Sequence, residues 1–132
     1  MRKWIKGDFL YIDTDTVIAE ELPEEISEYE IAQVPDVNSP FDDMATRVKN
    51  YHINLFERCG YDNWKNDLLY YNSGVMWLKD TELVHKIFEG WHKKWAEYSE
   101  NKGVMEDQPA LNQTNREMGG VINKLPDCYN VQ

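Results

Sequence analysis

The chain has 132 residues, of which 42% are hydrophobic and 29% charged, a composition that suits one soluble domain, residues 1–132, with its own core rather than a disordered chain. Fourteen basic residues against 24 acidic ones give a net charge of −10, and a surface that acidic repels phosphate, which argues against nucleic acid and anionic lipid as general partners. The longest stretch without a charge, 68–78, holds 11 residues, well short of the ~20 apolar residues of a membrane span, so no transmembrane segment is expected.

Met1-Arg2-Lys3-Trp4-Ile5-Lys6 is basic but lacks the apolar run of a signal peptide. The expectation is therefore a cytoplasmic protein with Cys59 and Cys128 reduced. Phe9-Leu10-Tyr11-Ile12 is a short apolar run ending in Asp13-Thr14-Asp15, the pattern of a buried strand whose carboxyl end opens to solvent. An acidic segment broken by Pro23 follows, then a second short strand at Ile31-Ala32-Gln33-Val34, stopped by Pro35. Ser39-Pro40-Phe41-Asp42 reads as a helix start. That helix should run to Cys59 and stop at Gly60, with Ala45, Val48, His52, Leu55, Phe56 and Cys59 facing inward.

Residues 62–67 read as a polar loop. Leu68-Leu69-Tyr70-Tyr71 and Val75-Met76-Trp77-Leu78, on either side of Asn72-Ser73-Gly74, predict two short strands or one strand bent at the glycine. Asp80 is placed to cap a helix over 81–100, whose Leu83, Val84, Ile87, Phe88, Trp91, Trp95 and Tyr98 follow helical spacing. A last helix starts near Asp107-Gln108-Pro109 and ends before Gly119-Gly120; Val121-Ile122-Asn123-Lys124-Leu125 then suggests a strand. Strands alternating with helices indicate an α/β domain built on a mixed sheet flanked by helices.

Asp13 and Asp15 carry the clearest chemistry. Two carboxylates two residues apart on a turn after a strand can share one hard cation, Mn2+ or Mg2+, which in turn neutralises a departing diphosphate. With 11 aspartates in the chain, about one such pair arises by chance; the same residues also make an ordinary solvated acidic turn. An EF-hand loop counted from Asp13 fails, because Val17 and Ile18 stand where an oxygen ligand and glycine are needed. An aspartate-based phosphohydrolase fits Asp13 and Asp15, but its second acidic cluster finds only Asp42-Asp43, on a helix face. Asn72-Ser73-Gly74 can offer an amide and a hydroxyl to a polar ligand or simply form a turn. Asp107 can cap its helix or bind a sugar hydroxyl. His52, His85 and His92 show no ligand spacing and read as structural or exposed. Trp91 and Trp95 read as core rather than as a sugar platform.

Taken in order, an apolar strand ending in Asp13-Thr14-Asp15, the Tyr71-Asn72-Ser73-Gly74-Val75-Met76 stretch, Asp107-Gln108-Pro109-Ala110-Leu111-Asn112, Leu125-Pro126 and Tyr129-Asn130 resemble glycosyltransferase family 8. These are GT-A-fold enzymes that include bacterial lipopolysaccharide glycosyltransferases. The resemblance implies metal-dependent transfer of a sugar from a nucleotide-diphosphate sugar, a UDP-sugar by expectation, to a saccharide acceptor with retention of configuration. It gives Asp13 and Asp15 the metal, Thr14, Asn72, Ser73 and Gly74 the donor, and Asp107 and Gln108 the reacting sugar and acceptor side. It also implies a partial GT-A-like sheet without the N-terminal nucleotide-binding βαβ region, since about 12 residues precede Asp13. A sheet lacking those strands would expose an edge, and a homo-oligomer is the expected remedy. The alternative is a non-catalytic remnant that binds a sugar or a protein partner.

Overall fold

The computed structural model describes residues 4–14, 21, 24–36, 46–61 and 69–125. They form an α/β fold with a mixed four-stranded sheet and three helices. The strands are β1 (Phe9–Ile12), β2 (Ile31–Pro35), β3 (Tyr71–Leu78) and β4 (Asn123–Lys124), in sheet order β1-β3-β2-β4. The central strand β3 runs antiparallel to both β1 and β2, while β4 lies parallel to β2. The helices are α1 (Thr46–Cys59), α2 (Glu82–Lys102) and α3 (Gln108–Glu117).

The core follows from two periodicities meeting. On β2 and β3, Ile31, Met76 and Leu78 lie on the face that meets Val84 and Ile87 of α2 and Leu111 of α3. The other face of the sheet gathers Ala32, Val34 and Val75 with Ile26, from a 3-10 turn at Glu24–Glu28, and Leu125. Helix α1 packs Leu55 and Cys59 against Tyr98 of α2 and Ala110 of α3, and Phe56 against Tyr70. His52, Leu55, Phe56 and Cys59 are buried as their spacing predicts, and the helix stops at Gly60, whose φ of 85° is a left-handed conformation that glycine adopts without strain. The start expected near Ser39 lies outside the described residues. Burial pushes the Cys59 thiol up to about 11, so this cysteine is a packing group rather than a nucleophile.

Helix α2 differs from expectation at its start. Thr81, not Asp80, is the cap: its hydroxyl accepts from the Val84 amide at 3.4 Å. Asp80 instead ties the segment before β1 to the helix, accepting from the Gly7 amide at 2.7 Å and meeting His85 Nε2 at 2.8 Å, while its own amide donates to Asp8 Oδ1. The helix runs to Lys102 and closes on Gly103, φ 67°. β4 is shorter than the apolar run around it, because only Asn123 and Lys124 pair with β2.

Helix α3 is fixed to the sheet by a buried amide. Asn112 Oδ1 accepts from the Tyr71 amide at 2.7 Å, and its Nδ2 donates to the Tyr71 carbonyl at 2.8 Å and the Gln108 carbonyl at 3.0 Å. A buried side-chain amide with its partners satisfied in this way sets one register between two elements. It places the second turn of α3 against the first residue of β3.

Candidate functional site

β3 is one continuous strand, but it is not regular. Its pairing with β2 runs Ile31 to Leu78, Ala32 to Trp77 and Gln33 to Met76, then resumes at Pro35 opposite Tyr71. Two steps along β2 therefore match five along β3, and the three surplus residues form a bulge around Ser73 and Gly74. An odd surplus reverses the alternation of side chains. Ser73 and Met76, which would point to opposite faces of a regular strand, line the same groove.

That groove has a volume of about 910 Å³. Its sheet wall is Tyr11, Asp13, Ser73 and Met76. Its helix wall is the stripe His85, Phe88, Glu89, Trp91, His92 and Trp95 of α2. Met105 and Asp107 contribute from the segment before α3, and Trp4 from the segment before β1.

Asp13 follows β1 directly, and its amide donates to the Gly74 carbonyl at 2.8 Å. The Tyr11 hydroxyl donates to Asp13 Oδ1 at 2.5 Å. This bond, then burial, pushes the phenol up to about 12, so Tyr11 stays a neutral donor. Ser73 Oγ donates to Asp107 Oδ1 at 3.5 Å, the long end of hydrogen-bond range. Burial raises the Asp107 carboxyl above its usual range and the charge of Asp13 adds to the effect, against the bond from Ser73. Asp13 and Asp107 thus share one field, and a cation between them would relieve it.

Gly74 is required by close approach. A β-carbon there would sit 2.8 Å from Asn72 Oδ1 and 3.2 Å from Asp13 Oδ2. Asn72 Oδ1 already accepts from the Gly74 amide at 2.6 Å, and its Nδ2 donates to Asp36 Oδ1 at 3.3 Å. Asp36 Oδ2 in turn faces His52 Nε2 at 3.5 Å, and this histidine, buried beside Tyr70 with ring centroids 4.2 Å apart, holds the Asp36 carboxyl below its usual range. A chain of polar contacts therefore runs from α1 through Asp36 and Asn72 to the backbone that carries Asp13. His52, which lacked a ligand pattern in sequence, supports the site from behind.

Of the residues singled out from the sequence, Asp13, Ser73 and Asp107 come together in the groove. Asn72 and Gly74 shape the bulge rather than line the groove. Thr14 follows Asp13 in an exposed turn. Gln108 is the first residue of α3 and partly buried, its carbonyl held by Asn112. Asp15 lies outside the described residues, as do Asp42-Asp43, Leu125's neighbour Pro126, Tyr129 and Asn130. Asp107 occupies the cap position of α3 without a side-chain capping bond, which leaves its carboxylate to Ser73 and the groove.

The helix wall was the part that sequence did not reveal. Trp91 Nε1 donates to the Asp107 carbonyl at 3.0 Å, Trp95 Nε1 to the Met105 carbonyl at 3.1 Å, and the Tyr98 hydroxyl to the Glu106 carbonyl. Three aromatic donors on α2 hold three successive carbonyls, so the indoles are oriented; both are partly buried and pack against the core, as expected, while also lining the groove. The signal available was that an indole N–H in an amphipathic face needs a partner.

As a cation site, the groove offers carboxylates and a hydroxyl, the hard oxygen donors that magnesium and manganese prefer. Among the described residues, no three His, Cys, Asp or Glu side chains cluster closely enough to form a complete ligand set. Among the described residues, no helix is long and apolar enough to cross a membrane. No family model, curated protein or solved structure shows a significant match to the chain.

Proposed function

We infer that the chain is a GT-A-type, glycosyltransferase-like domain that transfers a sugar from a nucleotide-diphosphate donor to a saccharide acceptor. The observation that carries this reading is convergence. The end of β1, the bulge of β3 and the start of α3 are far apart in sequence, yet Asp13, Ser73 and Asp107 meet in one groove beside oriented indoles. Asp13 and Asp15 are the residues that would hold Mn2+ or Mg2+, which when bound supplies the charge that stabilises a departing diphosphate. The carboxylates Asp13, Glu89 and Asp107 give the groove the same sign as a diphosphate, so donor binding is expected to depend on the cation. Ser73 and Asp107 would hold sugar hydroxyls, and Gln108 directly follows Asp107 in sequence.

Thermal melting with UDP-glucose and UDP-galactose, with and without manganese, tests the reading. Donor at ~100 times its dissociation constant adds about 2.7 kcal/mol, a shift on the order of 8 °C for a chain of this length. The shift should require manganese and vanish in Asp13→Asn/Asp15→Asn. A folded chain that shows no shift with either donor refutes the transferase and leaves a non-catalytic sugar-binding domain, which the aromatic helix wall favours on its own.

A further inference from the structure

We propose that the α2 side of the groove is a saccharide subsite selective for sugars that carry no anionic group. The proposal rests on the transferase-like reading only in calling this ligand the acceptor. The binding surface stands on its own observations.

Sugar rings present an apolar face of C–H bonds and an equatorial rim of hydroxyls, and they bind where an oriented aromatic face lies beside polar acceptors. Trp91 and Trp95, packed against the core on one side, line the groove and supply the aromatic surface. Each indole N–H is already committed to a backbone carbonyl, at 3.0 and 3.1 Å, so the rings are fixed before any ligand arrives. Phe88 extends the surface, its ring centroid 5.2 Å from that of Trp91. Glu89 and Asp107 supply acceptors for the hydroxyl rim.

Charge sets the selectivity. With histidine counted as neutral, every charged side chain that lines the groove among the described residues is a carboxylate, Asp13, Glu89 and Asp107; His85 and His92 line it too, and His85 already faces the Asp80 carboxylate at 2.8 Å. Three carboxylates line one partly enclosed groove, so an anion brought beside them meets like charge at short range. A uronate or a sugar phosphate is therefore rejected, whereas a neutral or amino sugar is accepted. An ammonium group would gain from both the carboxylates and the indole faces.

The test is a titration followed by the indole N–H resonances of the protein, with EDTA present so that no cation bridges an anion to the carboxylates. The probes are maltotriose, cellotriose, chitosan trisaccharide and trigalacturonate, with resonances assigned from single Trp→Phe variants. Trp77 is the internal control, because its indole donates to the Tyr29 carbonyl and its ring packs on the opposite face of the sheet. The expected result is movement of the Trp91 and Trp95 signals with at least one neutral or amino trisaccharide, a still Trp77, and at least tenfold weaker binding of trigalacturonate. Trigalacturonate binding as tightly as the neutral sugars overturns the proposal, as does a set in which no probe moves Trp91 or Trp95. A sugar response without a manganese-dependent donor shift separates this subsite from the transferase, and the reverse pattern separates the transferase from the subsite.

Discussion

Gly74→Ala probes the bulge at its tightest point. The new methyl would lie 2.8 Å from Asn72 Oδ1, inside the closest approach of real carbon and oxygen atoms, and 3.2 Å from Asp13 Oδ2. The Asn72 side chain must leave. It then forfeits its bond from the Gly74 amide, about 1 kcal/mol, and its bond to the Asp36 carboxylate, about 1.5–3 kcal/mol. Against this, alanine restricts the unfolded chain and returns about 0.4–1 kcal/mol. The net expectation is a loss of about 2 kcal/mol, read as a melting point lower by on the order of 6 °C. A double-mutant cycle isolates the cause: in an Asn72→Ala background the obstructing oxygen is gone, and Gly74→Ala should be close to neutral. If Gly74→Ala melts with the parent chain while Asn72 is intact, or costs the same with and without Asn72, the close contact does not shape the bulge.

Gln33 on β2 is fully buried, and neither its Oε1 nor its Nε2 has a hydrogen-bond partner among the described residues. Gln33→Met keeps the volume and removes two desolvated polar atoms, so it should raise stability by about 1–3 kcal/mol in urea or thermal unfolding; a destabilised variant would mean that the amide is in fact satisfied. Asp107 has a folded-state affinity for protons above its unfolded value, so its contribution to stability is fully present below the unfolded pKa of about 3.9 and is lost as pH rises through the folded value. Asp107→Asn should therefore melt higher than the parent at pH 7 and level with it at pH 3, and equal melting at both pH values would remove burial as the cause. Asp36 behaves in the opposite sense: His52 depresses its carboxyl, so its contribution is present above the unfolded pKa and is lost as pH falls through the folded value. Asp36→Asn should cost stability at pH 7, and the difference from the parent should shrink on acidification; a difference constant with pH would show that the charge is not involved.

The legible parts of the fold were those set by local rules. α2 has seven apolar positions on one helical stripe, and α1 ends where Gly60 can take a left-handed conformation. Asp80 looked like a cap as good as Thr81, because cap preference depends on residue type while the choice between adjacent candidates depends on what else each can bond. Asp80 had Gly7 and His85 to serve, contacts that no local pattern contains. The glycine in β3 marked an irregularity, but its consequence, an odd surplus that turns Ser73 toward Met76, requires the partner strand. The site divided along the same line. Asp13, Ser73 and Asp107 sit at ends and breaks of elements, where polar residues stand out. Trp91 and Trp95 pack against the core as their place in an amphipathic stripe predicts, and their second role, lining the groove, becomes visible only with the carbonyls that their N–H groups bond. His52 was silent because its partner, Asp36, lies on another element.

The three donors of α2 that grip residues 105–107 have a mechanical consequence. A loop whose successive carbonyls are each bonded to one helix moves only with that helix, so the approach to α3 behaves as an extension of α2 rather than as a hinge. Ligand contacts made by Met105 and Asp107 then carry little cost of ordering, since that cost was met when the chain folded. On the opposite rim, by contrast, Trp4 stands 81% exposed on the segment held through Gly7 to Asp80, where a ligand contact would still carry the cost of ordering a side chain.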